Sequence, residues 1–145
     1  MEIIELDAVK ALLDADQIVV AAGGGGIPVL EQGNVLKGAS AVIEKDLIAG
    51  ALAKGIDADM LVILTGVESV CKDFGTDHET PIHKMTCAQA KEYIAEGLFG
   101  EGTMKPKIET AIDYIGDSAI RSVLITKLDA CDKALAGQTG TVIIK

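Results

Sequence analysis

Met60-Leu-Val-Ile-Leu-Thr65 is the stretch on which the fold turns. It is a short, uncharged, aliphatic run that ends at Gly66. A run of this length with no polar alternation predicts a strand covered on both faces, as in a parallel sheet. Val67 to Cys71 extends it beyond a kink at Gly66. Similar runs occur at Gln17-Ile-Val-Val-Ala-Ala22 and Ser122-Val-Leu-Ile-Thr126, and Thr141-Val-Ile-Ile144 gives a last strand.

Helical patterns lie between these runs. Leu6, Val9, Leu12 and Leu13 share one face of a helix over residues 5–15. Ile43, Leu47, Ile48, Ala51 and Leu52 form a second helix, which Gly55 is placed to end. Thr86-Cys-Ala-Gln89 fits a capping box, with a helix to about residue 96 behind it. Pro106 suits the first position of another helix, whose apolar face is Ile108, Ala111, Ile112 and Ile115. Leu128, Cys131 and Leu135 suggest a last helix. Residues 29–37 predict a hairpin turning at Gln32-Gly33-Asn34. Residues 72–85 and 98–105 read as loops. The alternation predicts an α/β fold of three layers, α/β/α, with a mostly parallel sheet over residues 1–145 as a single domain.

Composition narrows the function. The formal charge is −9 and twelve of thirteen basic residues are lysine. A nucleic-acid partner is not expected, because phosphate backbones call for clustered positive charge. Any bound phosphate would meet lysines and backbone N–H groups rather than arginine forks, since Arg121 is the one arginine. Cys71, Cys87 and Cys131 are far apart, without a CxxC, and predict reduced thiols. No apolar run approaches the roughly 18 residues of a membrane span. The first residues lack the pattern of a signal peptide, so a cytoplasmic protein is expected.

Three places could carry chemistry. Gly23, Gly24, Gly25 and Gly26 follow an apolar run, where free backbone could form an anion-binding nest. The run is neither GxGxxG nor GxxxxGK[ST], and a flexible turn reads it equally well. Lys45-Asp46 opens the second helix and fits either a solvated face or a phosphoryl-stabilising pair. In Gly102-Thr-Met-Lys-Pro-Lys107 two lysines stand at a helix N-terminus. They oppose the helix dipole unless an anion lies between them and the helix. His78 and His83 read as surface histidines, and no metal site is expected.

These segments, in this order, resemble the carbamate kinases of the amino-acid kinase family. The resemblance rests on Ala21-Ala-Gly-Gly-Gly-Gly-Ile-Pro-Val29, Gly38-Ala-Ser-Ala-Val-Ile-Glu-Lys-Asp46 and Ala58-Asp-Met-Leu-Val-Ile-Leu-Thr-Gly-Val67. It rests also on Glu96 to Ile112, with its Gly-Thr-Met-Lys-Pro-Lys segment, and on Gly137-Gln-Thr-Gly-Thr-Val142. It implies an amino-acid-kinase-like fold, C-terminal half only, that binds ATP/ADP with Mg2+ and transfers a phosphoryl group between nucleotide and carbamate or carbamoyl phosphate. By the same resemblance Lys45, Asp46 and Lys107 are catalytic. Thr65, Gly66, Met104 and Lys107 bind nucleotide, and Gly23 to Gly26 form the substrate loop. Family enzymes are about twice as long, which implies a partner chain supplying the N-terminal half, or a homo-oligomer. Glu44, Gly66 and Cys71 depart from the Asp, Asp and Tyr common in the family.

Overall fold

The computed structural model describes residues 2–99 and 104–145. In chain order its elements are α1 (Leu6–Asp14), β1 (Val29–Gln32), β2 (Val35–Gly38), α2 (Lys45–Gly55), β3 (Met60–Thr65), β4 (Val70–Lys72), β5 (Thr80–Ile82) and β6 (Lys84–Thr86), then α3 (Cys87–Ala95), α4 (Met104–Ile115), β7 (Ser122–Lys127), α5 (Cys131–Leu135) and β8 (Thr141–Ile144). A single 3-10 turn, Leu128–Ala130, leads into α5. The central sheet runs β3-β7-β8-β6. β3 and β7 are parallel, as are β6 and β8, while β7 and β8 are antiparallel. The sheet is therefore mostly parallel.

β7 shows why the fold needs three layers. Val123, Leu124, Ile125 and Thr126 are all buried, so both faces of the strand are covered. Val123 and Ile125 join the core with Ile108, Ala111 and Ile115 of α4. Leu124 points the other way by the period-two rule. There it meets α5: a Cβ on Gly140 would lie 3.1 Å from both Ala134 Cβ and Leu124 Cδ1. Tyr114 is the one fully buried aromatic of this core, and its hydroxyl donates to the Ala58 carbonyl. Thr141 Oγ1 accepts from Val70 N–H at 2.8 Å and donates to the Ile82 carbonyl at 2.5 Å. One buried hydroxyl thus fastens the β4–β5 pair to β8.

α2 and α4 cross closely at Gly50. A Cβ there would lie 2.6 Å from Thr110 Cγ2. Thr110 is buried, and its Oγ1 makes no hydrogen bond among the described residues. Gly50→Ala should lower stability by about 1–2 kcal/mol, because overpacking outweighs the helix propensity that alanine adds. In a Thr110→Ala background the same change should turn stabilising. A denaturant double-mutant cycle reads this sign change, and two equal losses would exclude the crossing as the cause.

Several sequence expectations need correction. Residues 17–22 form no strand, and Ile18 and Val20 are 98% and 95% exposed. The extension after Gly66 is a bend through Ser69, and β4 starts only at Val70. The segment 72–85 is not simply a loop, since it contains β5 and the start of β6. Gly55 is the last residue of α2 rather than its stop. Its missing side chain makes room for Leu6, whose Cδ1 would lie 2.8 Å from a Cβ there, and Asp57 takes the positive φ that turns the chain. α4 begins at Met104, two residues before Pro106. The hairpin and the capping box are as expected: Gln89 N–H donates to Thr86 Oγ1 and Thr86 N–H to Gln89 Oε1.

Candidate functional site

The N-termini of α2 and α4 meet through one buried ion pair. Asp46, the second residue of α2, accepts from Lys107 Nζ at 2.7 Å. Both side chains are at most one-tenth exposed. Asp46 lies at the positive end of its helix, where a carboxylate is favoured. Lys107 lies in the first turn of α4, where a cation is disfavoured. The expectation of a bound anion at Lys107 is therefore met by the protein itself: the anion is the Asp46 carboxylate.

Lys45 differs from Lys107. Its ammonium is exposed and pairs at 2.6 Å with Glu44, the extended N-cap residue of α2. The hydrogen bond from Lys45 holds the Glu44 carboxyl below its ordinary value, and Lys107 adds a smaller pull. The same bond raises Lys45, with Asp46 contributing. Lys45 is thus a firm cation on a side chain that can swing towards a ligand.

The glycine run packs on this corner. Gly25 has φ 150°, and a Cβ there would lie 2.5 Å from the Ile43 carbonyl oxygen. Gly26 abuts the Ile48 side chain. Glycine at position 25 is therefore a steric requirement of the approach to α2. The loop uses two of its own amides internally, Gly23 N–H to the Ala21 carbonyl and Gly25 N–H to the Ala22 carbonyl.

A cleft of about 340 Å³ opens beyond the C-terminal end of β3. Strand ends of this kind are where open α/β sheets bind ligands. Thr65, Gly66 and Met104 line it, as do Val67, Phe74 and Phe99. Lys107 follows Met104 by one turn of α4. The structure thus brings Thr65, Gly66 and Met104 into one cleft, joins Asp46 to Lys107, and sets the glycine run beside Lys45. Gly102 and Thr103 lie outside the described residues.

Sequence reasoning missed Phe74 and Phe99. Both phenylalanines of the chain stand outside the periodic apolar runs; Phe74 is exposed, while Phe99 packs against the edge of the core. Tyr93 packs edge-on to Phe99 with centroids 6.2 Å apart, and Lys72 Nζ sits 4.2 Å from the Tyr93 centroid. Burial pushes the Cys71 thiol at the cleft wall up, so it stays protonated at neutral pH. Among the described residues no group of three His, Cys, Asp or Glu could hold a metal ion. No described helix is long and apolar enough to cross a membrane.

Comparison with known proteins places this geometry. The model of the amino acid kinase family matches residues 1–126. The carbamate kinase-like protein YqeA of Escherichia coli (strain K12) is 48% identical over 143 residues, covering 99% of this chain and 46% of that protein. The carbamate kinase of Staphylococcus epidermidis (strain ATCC 35984) is 44% identical over 146 residues, covering 100% of this chain and 47% of its own length. Among solved structures, the carbamate kinase from Giardia lamblia bound to AMP-PNP superposes with a TM-score of 0.94 at 34% identity. That match covers 100% of this chain and 50% of the other. The chain spans about half the length of these relatives. It belongs to the amino acid kinase family, and what it carries of that family is about half of a carbamate kinase-like chain.

Proposed function

We propose that this chain is the nucleotide-binding, phosphoryl-stabilising half of a carbamate kinase-type phosphotransferase, completed by a second half. The observation that carries the proposal is the buried Lys107–Asp46 pair, one turn from the cleft that Met104 lines. A relative of the same backbone binds AMP-PNP, which supports a nucleotide in this cleft. Apolar walls at Val67, Phe74 and Phe99 suit the base, and Thr65 and Ser69 offer polar groups beside it.

In the direction of ATP formation, an oxygen of the ADP β-phosphate attacks the phosphorus of carbamoyl phosphate. The P–O bond to the carbamoyl group breaks, and carbamate leaves as an anion. No proton has to move, so this chain needs no general base. Its task is alignment and neutralisation of charge on the transferring group. Asp46 fixes Lys107, and Lys45 exchanges Glu44 for a phosphoryl oxygen. Mg2+, arriving on the nucleotide, would supply further charge neutralisation.

The test is a chimera in which this chain replaces the matched half of the Staphylococcus epidermidis carbamate kinase. ATP should form from ADP and carbamoyl phosphate. A folded chimera that binds ADP but makes no ATP would leave a nucleotide-binding module and overturn the phosphotransfer reading.

A further inference from the structure

Ser69 lies in the bend between β3 and β4, is 6% exposed, and lines the cleft beyond β3. Its backbone is fastened from three strands. Thr126 Oγ1 of β7 donates to the Glu68 carbonyl at 3.3 Å. Thr141 Oγ1 of β8 accepts from Val70 N–H at 2.8 Å. The Cys71 thiol of β4 donates to the Ser69 carbonyl at 3.6 Å. Both threonines are fully buried, so the core itself sets where Ser69 stands. The Ser69 hydroxyl is left over. Among the described residues, Thr110 Oγ1 is the one buried polar side-chain atom both sealed from solvent and without a partner. Ser69 Oγ bonds to no described group either, so it reaches open space, and the space that Ser69 lines is the cleft.

A ligand that fills the cleft takes water from this hydroxyl and must replace the lost bond. The described lining carries no charged side chain, so the group that meets Ser69 is a neutral one, not a phosphate. Side-chain acceptors are few here. Thr65 and Ser69 bring the two hydroxyls, and the Cys71 sulfur, already donating, is a weak acceptor. Adenine presents a single amino group that needs an acceptor. Guanine presents an amino group, a ring N–H and a carbonyl oxygen together. The hydroxyls can serve the first set, whereas the second would leave N–H groups unpaired against apolar walls.

We infer that Ser69 sets the base preference of this cleft, its hydroxyl accepting a hydrogen bond from the 6-amino group of adenine. The inference rests on the nucleotide reading of the cleft and adds to it the residue that chooses the base. Because the backbone on both sides of Ser69 is already held, little ordering has to accompany binding. Ser69 acts on affinity and choice of nucleotide and takes no part in phosphoryl transfer.

The experiment is calorimetry on this chain with ADP, GDP and purine riboside 5′-diphosphate, which is ADP without its amino group. The wild type should bind ADP about 10-fold more tightly than either of the others. Ser69→Ala should weaken ADP by about 10-fold and leave the purine analogue where it was, so that those two ligands bind alike. Its melting should not move, since the hydroxyl bonds to no described group. In the chimera the same variant should raise KM for ADP by the same factor at unchanged kcat. A wild type that binds ADP and the purine analogue equally would overturn the inference and leave the nucleotide reading standing. Equal weakening of both ligands in Ser69→Ala would also overturn it, by reducing Ser69 to a structural role. Binding of none of the three to the wild type would sink the nucleotide reading and this inference together.

Discussion

Replacing Asp46 with alanine should cost this chain about 3–5 kcal/mol of stability, more than any other single change considered. The reason lies in what remains. Lys107 would keep its ammonium at a position where the side chain is 7% exposed, with its one carboxylate partner among the described residues gone. Its place in the first turn of α4 makes matters worse, because the helix dipole opposes a cation there. A domain of this kind has only about 5–15 kcal/mol in total, so Asp46→Ala should shift the urea midpoint strongly at unchanged slope. Asp46→Asn keeps an acceptor and should fall between. The double variant Asp46→Leu with Lys107→Met removes both charges and should recover most of the loss, since buried pairs replaced by apolar groups are often neutral in stability. A loss below about 1 kcal/mol for Asp46→Ala would mean that Lys107 reaches water without its partner.

That pair also shows where sequence reading stops. β3, β7 and β8 were legible because each is a short apolar run whose neighbours lie within the same 145 residues. The Thr86 capping box was legible because its chemistry spans four consecutive residues. Residues 17–22 are as apolar and β-branched as much of β7 yet form no strand, since a strand is defined by the neighbours it pairs with and not by its own composition. β5 and β6 were hidden for the opposite reason: they are polar, and pairing with β4 and β8 defines them, with Thr141 fastening the group. The start of α4 was misplaced because the first-turn N–H groups of any helix lack intrahelical partners. Proline is therefore as tolerable at the third position as at the first. The two lysines at positions 105 and 107 correctly signalled an electrostatic problem at that helix end. That its solution was Asp46, 61 residues earlier, required the fold.

For the chemistry, Lys45 is a better probe than Lys107. Lys107→Ala should abolish ATP formation, but it also strands a buried carboxylate, so lost folding and lost catalysis would be mixed. The Lys45 side chain is 57% exposed and, among the described residues, bonded only to its exposed neighbour Glu44. Lys45→Met should leave the melting curve of the chimera where it was. If Lys45 meets charge that develops on the transferring phosphoryl group, ATP formation should nevertheless fall by about 100–1,000-fold. The fall should appear equally in kcat and kcat/KM, because an interaction made only in the transition state lowers both. A rise in KM alone would instead assign Lys45 to ground-state binding of the nucleotide or of carbamoyl phosphate. Lys45→Arg preserves the charge and should restore part of the rate, though its planar fork cannot reproduce the point charge of an ammonium. Glu44→Gln completes the argument. It removes the carboxylate that now competes with substrate for Lys45, so binding of phosphate groups should tighten while the rate constant for transfer stays close to its starting value. An unchanged rate in Lys45→Met would confine phosphoryl stabilisation to Lys107 and leave the exposed pair as an ornament of the helix end.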